Sequence, residues 1–497
     1  MKDIVLSTIN ARYTHSSIAL RYLYANLKDL RDSAIIQEYD ICDKPQQIAE
    51  MILDLKPKMV CLGIYIWNVL ESYAVIEIIK KVDPDLLIVL GGPEVSYHPF
   101  RGDFSKADYI IQGEGEFALY DLATKLLNNN KPTNQIFVPQ IVELDQICLP
   151  YEYYNDEDIK NRVIYIEASR GCPFNCEFCL SSIDKQVRYF DLDKVLFEID
   201  KLWERGCRLF KFIDRTFNLD MNVATRILDF FLSKEMPYFI HFEVIPEYFP
   251  EEFKQKIKQF PDKSLQLEVG IQTLNSQVAE NIKRNLNMDK IKQNLIFLET
   301  QTKVHLHVDL IVGLPGQSVE SFAADLNKLV SIMSSKIQIG VLKKLSGTTL
   351  SRHDQIYGMV YSDLPPYDIL KNDLISYSMM QKLKRMARFW EITYNSGNFS
   401  NSVKLLWSGD DVFKGFFEFS EWIYSQSEST YKISLNRLAE FLFKYIINMR
   451  LFSAKEKTEL ADLMVKDILR HKLRRIPGFL REYASAIPII KKSSYCV

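Results

Sequence analysis

Over residues 1–130 the chain alternates short apolar runs with longer stretches whose apolar residues recur every three or four positions. The short runs, IVLSTI (4–9), AIIQEY (34–39), MVCLGIY (59–65), LLIVLGG (86–92) and YIIQG (109–113), are predicted as strands. Between them SSIALRYLYANLKDL, QQIAEMILDL, VLESYAVIEIIKKV and EFALYDLATKLL have helical spacing. This alternation predicts a parallel sheet with helices on both faces, because a connection between parallel strands must cross a face of the sheet. Ligands of such sheets sit beyond the carboxyl ends of the strands. Those ends carry the unusual residues: Asn10 to His15, Tyr65 to Asn68 with Trp67 among them, Gly91-Gly92-Pro93-Glu94 and Gly113-Glu114-Gly115-Glu116. Paired glycines let a backbone approach a ligand closely.

The polar stretch NNNKPTNQ ends this first domain (1–130), and residues 131–162 read as a connector whose YEYY cluster is expected to pack. The alternation then resumes over 163–354. Strands are predicted at VIYIEAS (163–169), LFKFID (209–214), YFIHFEV (238–244), LQLEVGIQ (265–272), VHLHVDLIVG (304–313) and KIQIGVL (336–342), with helical periods between them. From 355 to 497 the pattern is helical and aromatic, starting with a long helix over 367–394 behind Pro365-Pro366, which predicts an all-α domain. Its segment 466–481, KDILRHKLRRIPGFLR, reads as a basic solvated face.

The candidate chemistry follows the first strand of the second set. In VIYIEASRGCPFNCEFCL, Cys172, Cys176 and Cys179 stand in Cys-x3-Cys-x2-Cys spacing. Three thiolates on one short loop can hold three irons of a 4Fe–4S cubane, whose usual complement is four cysteines. The fourth iron is then open to a chelate such as the amino and carboxylate groups of an amino acid. A structural zinc site would ask for a second Cys or His knuckle, and none is visible. The spacing, with Phe178 before the last cysteine, resembles the signature of the radical S-adenosylmethionine (SAM) superfamily. That resemblance implies a reduced cluster that cleaves SAM to a 5′-deoxyadenosyl radical, which takes hydrogen from an unactivated carbon. It also implies a partial, TIM-like (β/α)6 barrel with its chemistry at the strand ends. On the same footing it implies cofactor contacts for Asp214, near the methionine moiety, for Glu268 and Gln272, for Arg284 at the carboxylate, and for Asp309 and Gly313 toward the adenine.

The first domain resembles the cobalamin-binding domain that precedes many such barrels, most closely at LGGPEVS and GEGE. The resemblance assigns Asn10, Trp67, Gly91, Gly92, Pro93, Glu94, Gly113, Glu114, Gly115 and Glu116 to that cofactor. The Asp-x-His-x-x-Gly string of cobalt-ligating domains does not occur, so cobalamin is expected base-off with no histidine below the cobalt. His15 and His98 then read as loop or helix-start residues. RMARFWEITYNSGNF resembles a helical extension found in one branch of the family, with no role assigned to it. Together these resemblances imply a cobalamin-dependent radical SAM enzyme that methylates an unactivated carbon, or phosphorus, of a small molecule or peptide. Alternatives are a cobalamin-assisted rearrangement or cyclisation, an RNA methylthiotransferase-like modification, and a non-catalytic cobalamin and iron–sulfur sensor.

Composition narrows this picture modestly. At 497 residues the chain has room for about three domains of roughly 150 residues. A formal charge of −2 argues against nucleic acid as a partner. No apolar run suggests a membrane span or a signal peptide, so a cytoplasmic enzyme reduced by flavodoxin or ferredoxin is expected. Of eight cysteines, five (Cys42, Cys61, Cys148, Cys207 and Cys496) are dispersed, unlike a disulfide scaffold. They are also spaced unlike the second cysteine set that a methylthiotransferase needs.

Overall fold

The computed structural model describes residues 2–284, 286–407, 409–449, 452–470 and 475–485. Cys496 and residues 471–474 of the basic segment lie outside the described residues. The first stretch runs β1 (Ile4–Asn10), α1 (Ile18–Ala25), β2 (Ala34–Asp40), α2 (Pro45–Asp54), β3 (Met59–Gly63), α3 (Val69–Val82), β4 (Leu87–Gly91), the one-turn α4 (Pro93–Ser96), β5 (Tyr109–Ile111), α5 (Glu116–Leu127) and β6 (Ile136–Phe137). These strands form one parallel sheet in the order β2-β1-β3-β4-β5-β6. Alternate residues feed two cores. Val5, Ile9, Val60, Leu62, Ile88 and Leu90 pack against α2 and α3, and Ile4, Leu6, Met59, Cys61 and Val89 against α1 and α5. Burial on both faces is why these strands read as continuous apolar runs. The order reverses between β1 and β3, the place where a doubly wound sheet opens a crevice at its carboxyl edge.

The stretch read as a connector contributes structure of its own. Its Ile136 pairs with Ile110, so β6 covers the edge of β5; two residues are too few to register as an apolar run. Next comes α6 (Asp156–Asn161), opened by a capping box on Asn155. Tyr151 and Tyr154 of the YEYY cluster are fully buried. Arg21 on α1 holds this stretch to the sheet: it reaches Glu38 on β2 at 2.8 Å and Asp158 on α6 at 2.7 Å, over the Tyr154 ring. Arg162 also meets Glu38 (3.2 Å) and Asp158 (3.5 Å), so two cations face two carboxylates away from water.

Further along come β7 (Ile164–Ile166), the short β8 (Ser169–Arg170) and β9 (Arg188–Tyr189), α7 (Leu192–Glu204), β10 (Leu209–Phe212), α8 (Met221–Leu232), β11 (Phe239–Val244), α9 (Glu251–Lys258), β12 (Leu265–Gln272), α10 (Ser276–Asn281), α11 (Met288–Gln301), β13 (His305–Val312), α12 (Val319–Ile332) and β14 (Lys336–Val341). Six βα units therefore follow one another, as the pattern predicts. The chain packs as two compact units. One runs to Gly270 and adds Glu280–Leu306 and Lys343–Ile369; the other takes Ile271–Ala279, His307–Leu342 and the described residues from Leu370 onward.

In the first unit β7, β10, β11 and β12 pair in parallel. Phe210, Phe212, Ile240, Phe242, Leu265 and Leu267 line their buried face, where Phe217 stacks on Phe242 with ring centroids 3.7 Å apart. The other face is polar. His241 meets Glu268 at 2.9 Å, Lys211 approaches Glu268 at 3.8 Å, and Arg215 holds Glu243 at 3.0 Å.

In the second unit β13 and β14 pair in parallel, and α13 (Tyr377–Trp390), α14 (Val412–Ser427), α15 (Leu435–Met449) and α16 (Ala454–Leu469) follow. The outer edge of β14 is closed at Ile337. Trp390 Nε1 and Asn395 Nδ2 donate to its carbonyl at 2.9 and 2.8 Å, and its N–H donates to Asn395 Oδ1 at 3.1 Å. A π-helical turn over Glu391–Asn395 accompanies this contact, which satisfies backbone groups that an edge strand otherwise exposes. The long helix predicted from 367 starts only at Tyr377, and Ile369–Lys371 is a strand. Asn372 Oδ1 accepts from the N–H groups of Leu374 and Ile375, and Ser376 caps the helix. These local turns interrupt a periodicity that the sequence pattern reads as continuous.

The Arg21 quartet yields a stability test. Arg21→Met leaves two buried carboxylates facing Arg162 alone and is expected to cost about 3–5 kcal/mol. Urea unfolding should show it as a lower first midpoint, and an unchanged midpoint would contradict the packing described here.

Candidate functional site

The three motif cysteines lie on a hairpin loop. Its base is the antiparallel pair β8 and β9, with Ser169 opposite Tyr189 and Arg170 opposite Arg188. The loop folds back on itself at once: the Cys172 N–H donates to Asp184 O at 2.9 Å. Gly171 makes this possible. It has φ +92°, and a Cβ there would stand 2.2 Å from Gln186 O. Cys172 and Cys176 are buried, and Cys179 and Phe178 are half-buried. Arg284 donates from Nη1 to Cys176 Sγ at 3.2 Å and from Nη2 to Gly270 O. The neighbouring Glu177, whose side chain is 1% exposed, is held by Lys283 (2.8 Å), Arg352 (2.7 Å) and His353 (2.8 Å). Burial pushes its carboxyl up, but the hydrogen bonds from Lys283, His353 and Arg352 together hold it below the usual range.

A crevice opens at the carboxyl end of the first sheet, at the β1/β3 reversal. Its first lobe, about 490 Å³, is lined by Gly91, Gly92, Pro93, Gly113, Glu114, Gly115 and Glu116. Its second lobe, about 590 Å³, is lined by Asn10, His15, Trp67, Tyr165, Ser169 and Gly171. Ile18, Ala19, Tyr65, Glu167, Arg170, Ser181, Ile213 and Arg215 line both lobes, so the sheet end and the cluster hairpin share one chamber. Gly113, at φ +80°, presents bare backbone to it: an added Cβ would meet no protein atom within 4 Å. Trp67 donates to Ile9 O at 3.0 Å and lies flat on Tyr65, with ring centroids 4.6 Å apart. His15 Nδ1 is 2.5 Å from the Tyr165 hydroxyl. Burial lowers the His15 pKa and pushes the Tyr165 phenol up to about 12.

Other expected residues lie elsewhere. Glu94 is buried and accepts from the Tyr367 hydroxyl at 2.9 Å, outside the crevice lining. Asp214 is also buried; it accepts from Ala168 N–H at 3.1 Å and Ser169 Oγ at 2.5 Å, and so pins the end of β7. Its neighbour Arg215 lines the chamber instead. Glu268 is engaged with His241 and Lys211 on the polar strand face. His98 stacks on Phe100, with centroids 4.1 Å apart. Gln272 (φ +72°), Asp309 and Gly313 belong to the second unit, where the Gly313 N–H donates to Gln317 Oε1 at 2.7 Å. Sequence reasoning passed over Tyr165, Glu167, Arg170 and Arg215. The signal was present for Tyr165 and Glu167, which alternate with buried Ile164 and Ile166 in VIYIE.

Family models match three stretches: a B12 binding domain over residues 4–123, the Radical SAM superfamily over 166–329, and a protein of unknown function (DUF4080) over 355–492. The chain is a radical SAM enzyme with a cobalamin-binding domain. Similar proteins include an uncharacterized methyltransferase of Pyrococcus horikoshii, 24% identical over 364 residues, which are 68% of this chain and 78% of that protein. Another is the cobalamin-dependent radical SAM methyltransferase TokK of Streptomyces tokunonensis, 22% identical over 353 residues, 63% of this chain. This chain spans 51% of TokK. Among solved structures, OxsB with aqua-cobalamin and SAM matches at TM-score 0.62 and 14% identity, over 97% of this chain and 83% of that one. TsrM of Kitasatospora setae with cobalamin and a [4Fe-4S] cluster matches at TM-score 0.58 and 16% identity, over 73% and 78%. At these identities the likeness is one of fold.

The cofactors of this radical SAM enzyme are thus a 4Fe–4S cluster, SAM and cobalamin, and its residues fit them. Cys172, Cys176 and Cys179 can each give one thiolate to one iron. Among the described residues no three His, Cys, Asp or Glu side chains gather as ligands of a single ion, which is a different requirement. The bare backbone at Gly113 and the flat Tyr65–Trp67 pair suit a broad planar cofactor. Of the remaining cysteines, Cys61 is in the core of the sheet while Cys42 and Cys148 are exposed.

Two outcomes follow from this geometry. Gly171→Ala should fold but fail to take up iron and sulfide on reconstitution, because its Cβ collides with Gln186 O; near-normal cluster absorbance would contradict that. Burial raises the Asp214 carboxyl from 3.8 to about 6. Between those pH values the folded protein keeps a proton that the unfolded chain releases, so this group's contribution to stability is present at low pH and is lost as the pH rises toward 6. Thermal melts from pH 4 to pH 7 should show wild type losing on the order of 2 kcal/mol relative to Asp214→Asn. A difference independent of pH would contradict it.

Proposed function

We infer that this enzyme transfers a methyl group to an unactivated carbon, or to phosphorus, of a small-molecule or peptide substrate. The observation that supports this reading is the shared chamber: the cobalamin-type sheet end and the cluster hairpin open into one crevice lined on both sides by Tyr65, Glu167, Arg170 and Arg215. When bound, the cofactors supply a 5′-deoxyadenosyl radical and a methyl donor, chemistry that no side chain offers. The protein's part is placement and dryness. Gly113 lets backbone approach the cobalamin, and Trp67, fixed by its bond to Ile9 O and by Tyr65, walls the second lobe. Arg284 and the Glu177 cage hold the loop segment around Cys176. His15 Nδ1 and the Tyr165 hydroxyl, hydrogen-bonded at 2.5 Å, fix each other's orientation at the chamber wall. A low-potential protein such as flavodoxin or ferredoxin would supply the electron.

The test is cofactor content followed by label transfer. Protein purified without oxygen from cobalamin-supplied cells should carry near-stoichiometric cobalamin and about four irons. With a strong reductant and methyl-labelled SAM, label should appear on the protein-bound cobalamin. Iron without cobalamin, or label that never leaves SAM, would overturn methyl transfer. Cys172→Ala should abolish 5′-deoxyadenosine formation; undiminished formation would remove the cluster assignment.

A further inference from the structure

The GEGE turn is a candidate cofactor contact by sequence, yet its two carboxylates are engaged with the base of the cluster hairpin. Arg170, two residues before Cys172, meets Glu116 at 2.7 Å, Glu114 at 3.4 Å and Glu167 at 3.1 Å. Its cross-strand partner Arg188 donates to Glu114, to Asp184 at 3.2 Å and to Val142 O at 2.8 Å. The Arg170 guanidinium lies beside the rings of Tyr22 on α1 (5.0 Å) and Phe190 after β9 (5.5 Å). These side chains are mostly buried: Arg170 is 13% exposed, Arg188 9% and Glu116 7%. Ion pairs this dry are costly to break one partner at a time. The two arginines face each other at the pair that closes the loop carrying Cys172, Cys176 and Cys179. Glu114, Glu116 and Arg170 also line the first lobe of the crevice.

We propose that Arg170 and Arg188 are positioning residues that couple the two cofactors, so that the loaded cluster hairpin holds the Gly113–Glu116 turn in its cobalamin-binding form. This rests on the cobalamin reading above. Without its cluster the loop over 171–187 loses its cross-link and the two-residue hairpin base frays. Arg170 and Arg188 then release Glu114 and Glu116, and the turn lining the first lobe is no longer held. Binding at either end must therefore favour the other equally, since linkage is reciprocal.

The experiment uses the full chain in two forms, chelator-stripped and cluster-reconstituted, each titrated with hydroxocobalamin and followed by visible absorbance. In wild type the cluster should tighten binding about tenfold. In Glu116→Gln, which lies outside the cysteine loop and should load iron normally, the two forms should bind within about twofold of one another, a ratio well below the usual range of coupling. Arg170→Lys, which keeps the charge but not the fork, should give an intermediate ratio. A Glu116→Gln protein that keeps the wild-type ratio overturns the proposal. So does one that loses affinity equally in both forms, since Glu116 would then serve the first domain alone. A wild type that binds hydroxocobalamin equally with and without its cluster overturns the coupling while leaving methyl transfer standing, and one that binds none in either form removes both. Hydrogen exchange gives a second readout: the amides of 113–116 should gain protection on cluster loading in wild type and not in Glu116→Gln.

Discussion

Everything in the candidate site depends on keeping the loop over 171–187 closed while its thiols stay available, with Arg170 and Arg188 at its ends. A loop that long closes against a substantial entropy cost, and two backbone pairs do not offset it. The buried charges at its base supply the rest. The arginines sit opposite each other, so their side chains leave the same face of the hairpin and meet at Glu114, and Arg170 reaches Glu116 as well. Taking those charges out of water is expensive, which makes the arrangement specific: only a turn that returns two carboxylates at that height satisfies both guanidiniums. At the other end of the loop the Glu177 cage repeats the device.

The same economy of polar groups shapes the barrel strands. Their buried face is aromatic and aliphatic, and their other face carries charges already matched to one another: Lys211 and His241 to Glu268, and Arg215 to Glu243. A strand face lined with ionic pairs stays wet or takes a polar ligand, whereas the first sheet, apolar on both sides, offers ligands only its carboxyl edge. That contrast places the crevice, with the β1/β3 reversal supplying the gap and the cluster hairpin its other wall. The helical region contributes differently. Through Trp390 and Asn395 it closes the outer edge of β14.

How much of this was legible in the sequence follows from the range of the interactions. The βα alternation and the cysteine spacing are properties of a few consecutive residues, and reading them leads to the parallel sheet, the six later units and the cluster loop. Asp214 and Glu94 illustrate the opposite case. Both sit at strand ends, where ligand-binding carboxylates are expected, yet one is drawn inward by Ser169 and Ala168 and the other by Tyr367, which is 273 residues away in the chain. The late start of α13 is intermediate: Asn372 and Ser376 are visible turn and cap residues, but apolar periodicity runs through them and masks the break.

By itself, then, the sequence determined the order of strands and helices, the glycines of the strand-end turns and the spacing of the three motif cysteines, because each depends on neighbours within a turn or two of chain. Only the tertiary structure decided which charges meet. The GEGE turn bonds to arginines 54 and 74 residues away, and nothing in the local pattern distinguishes a carboxylate that faces a cofactor from one that bolts a hairpin. A buried charge is satisfied by whatever folding brings within about 3 Å of it, and that is a property of the packed chain.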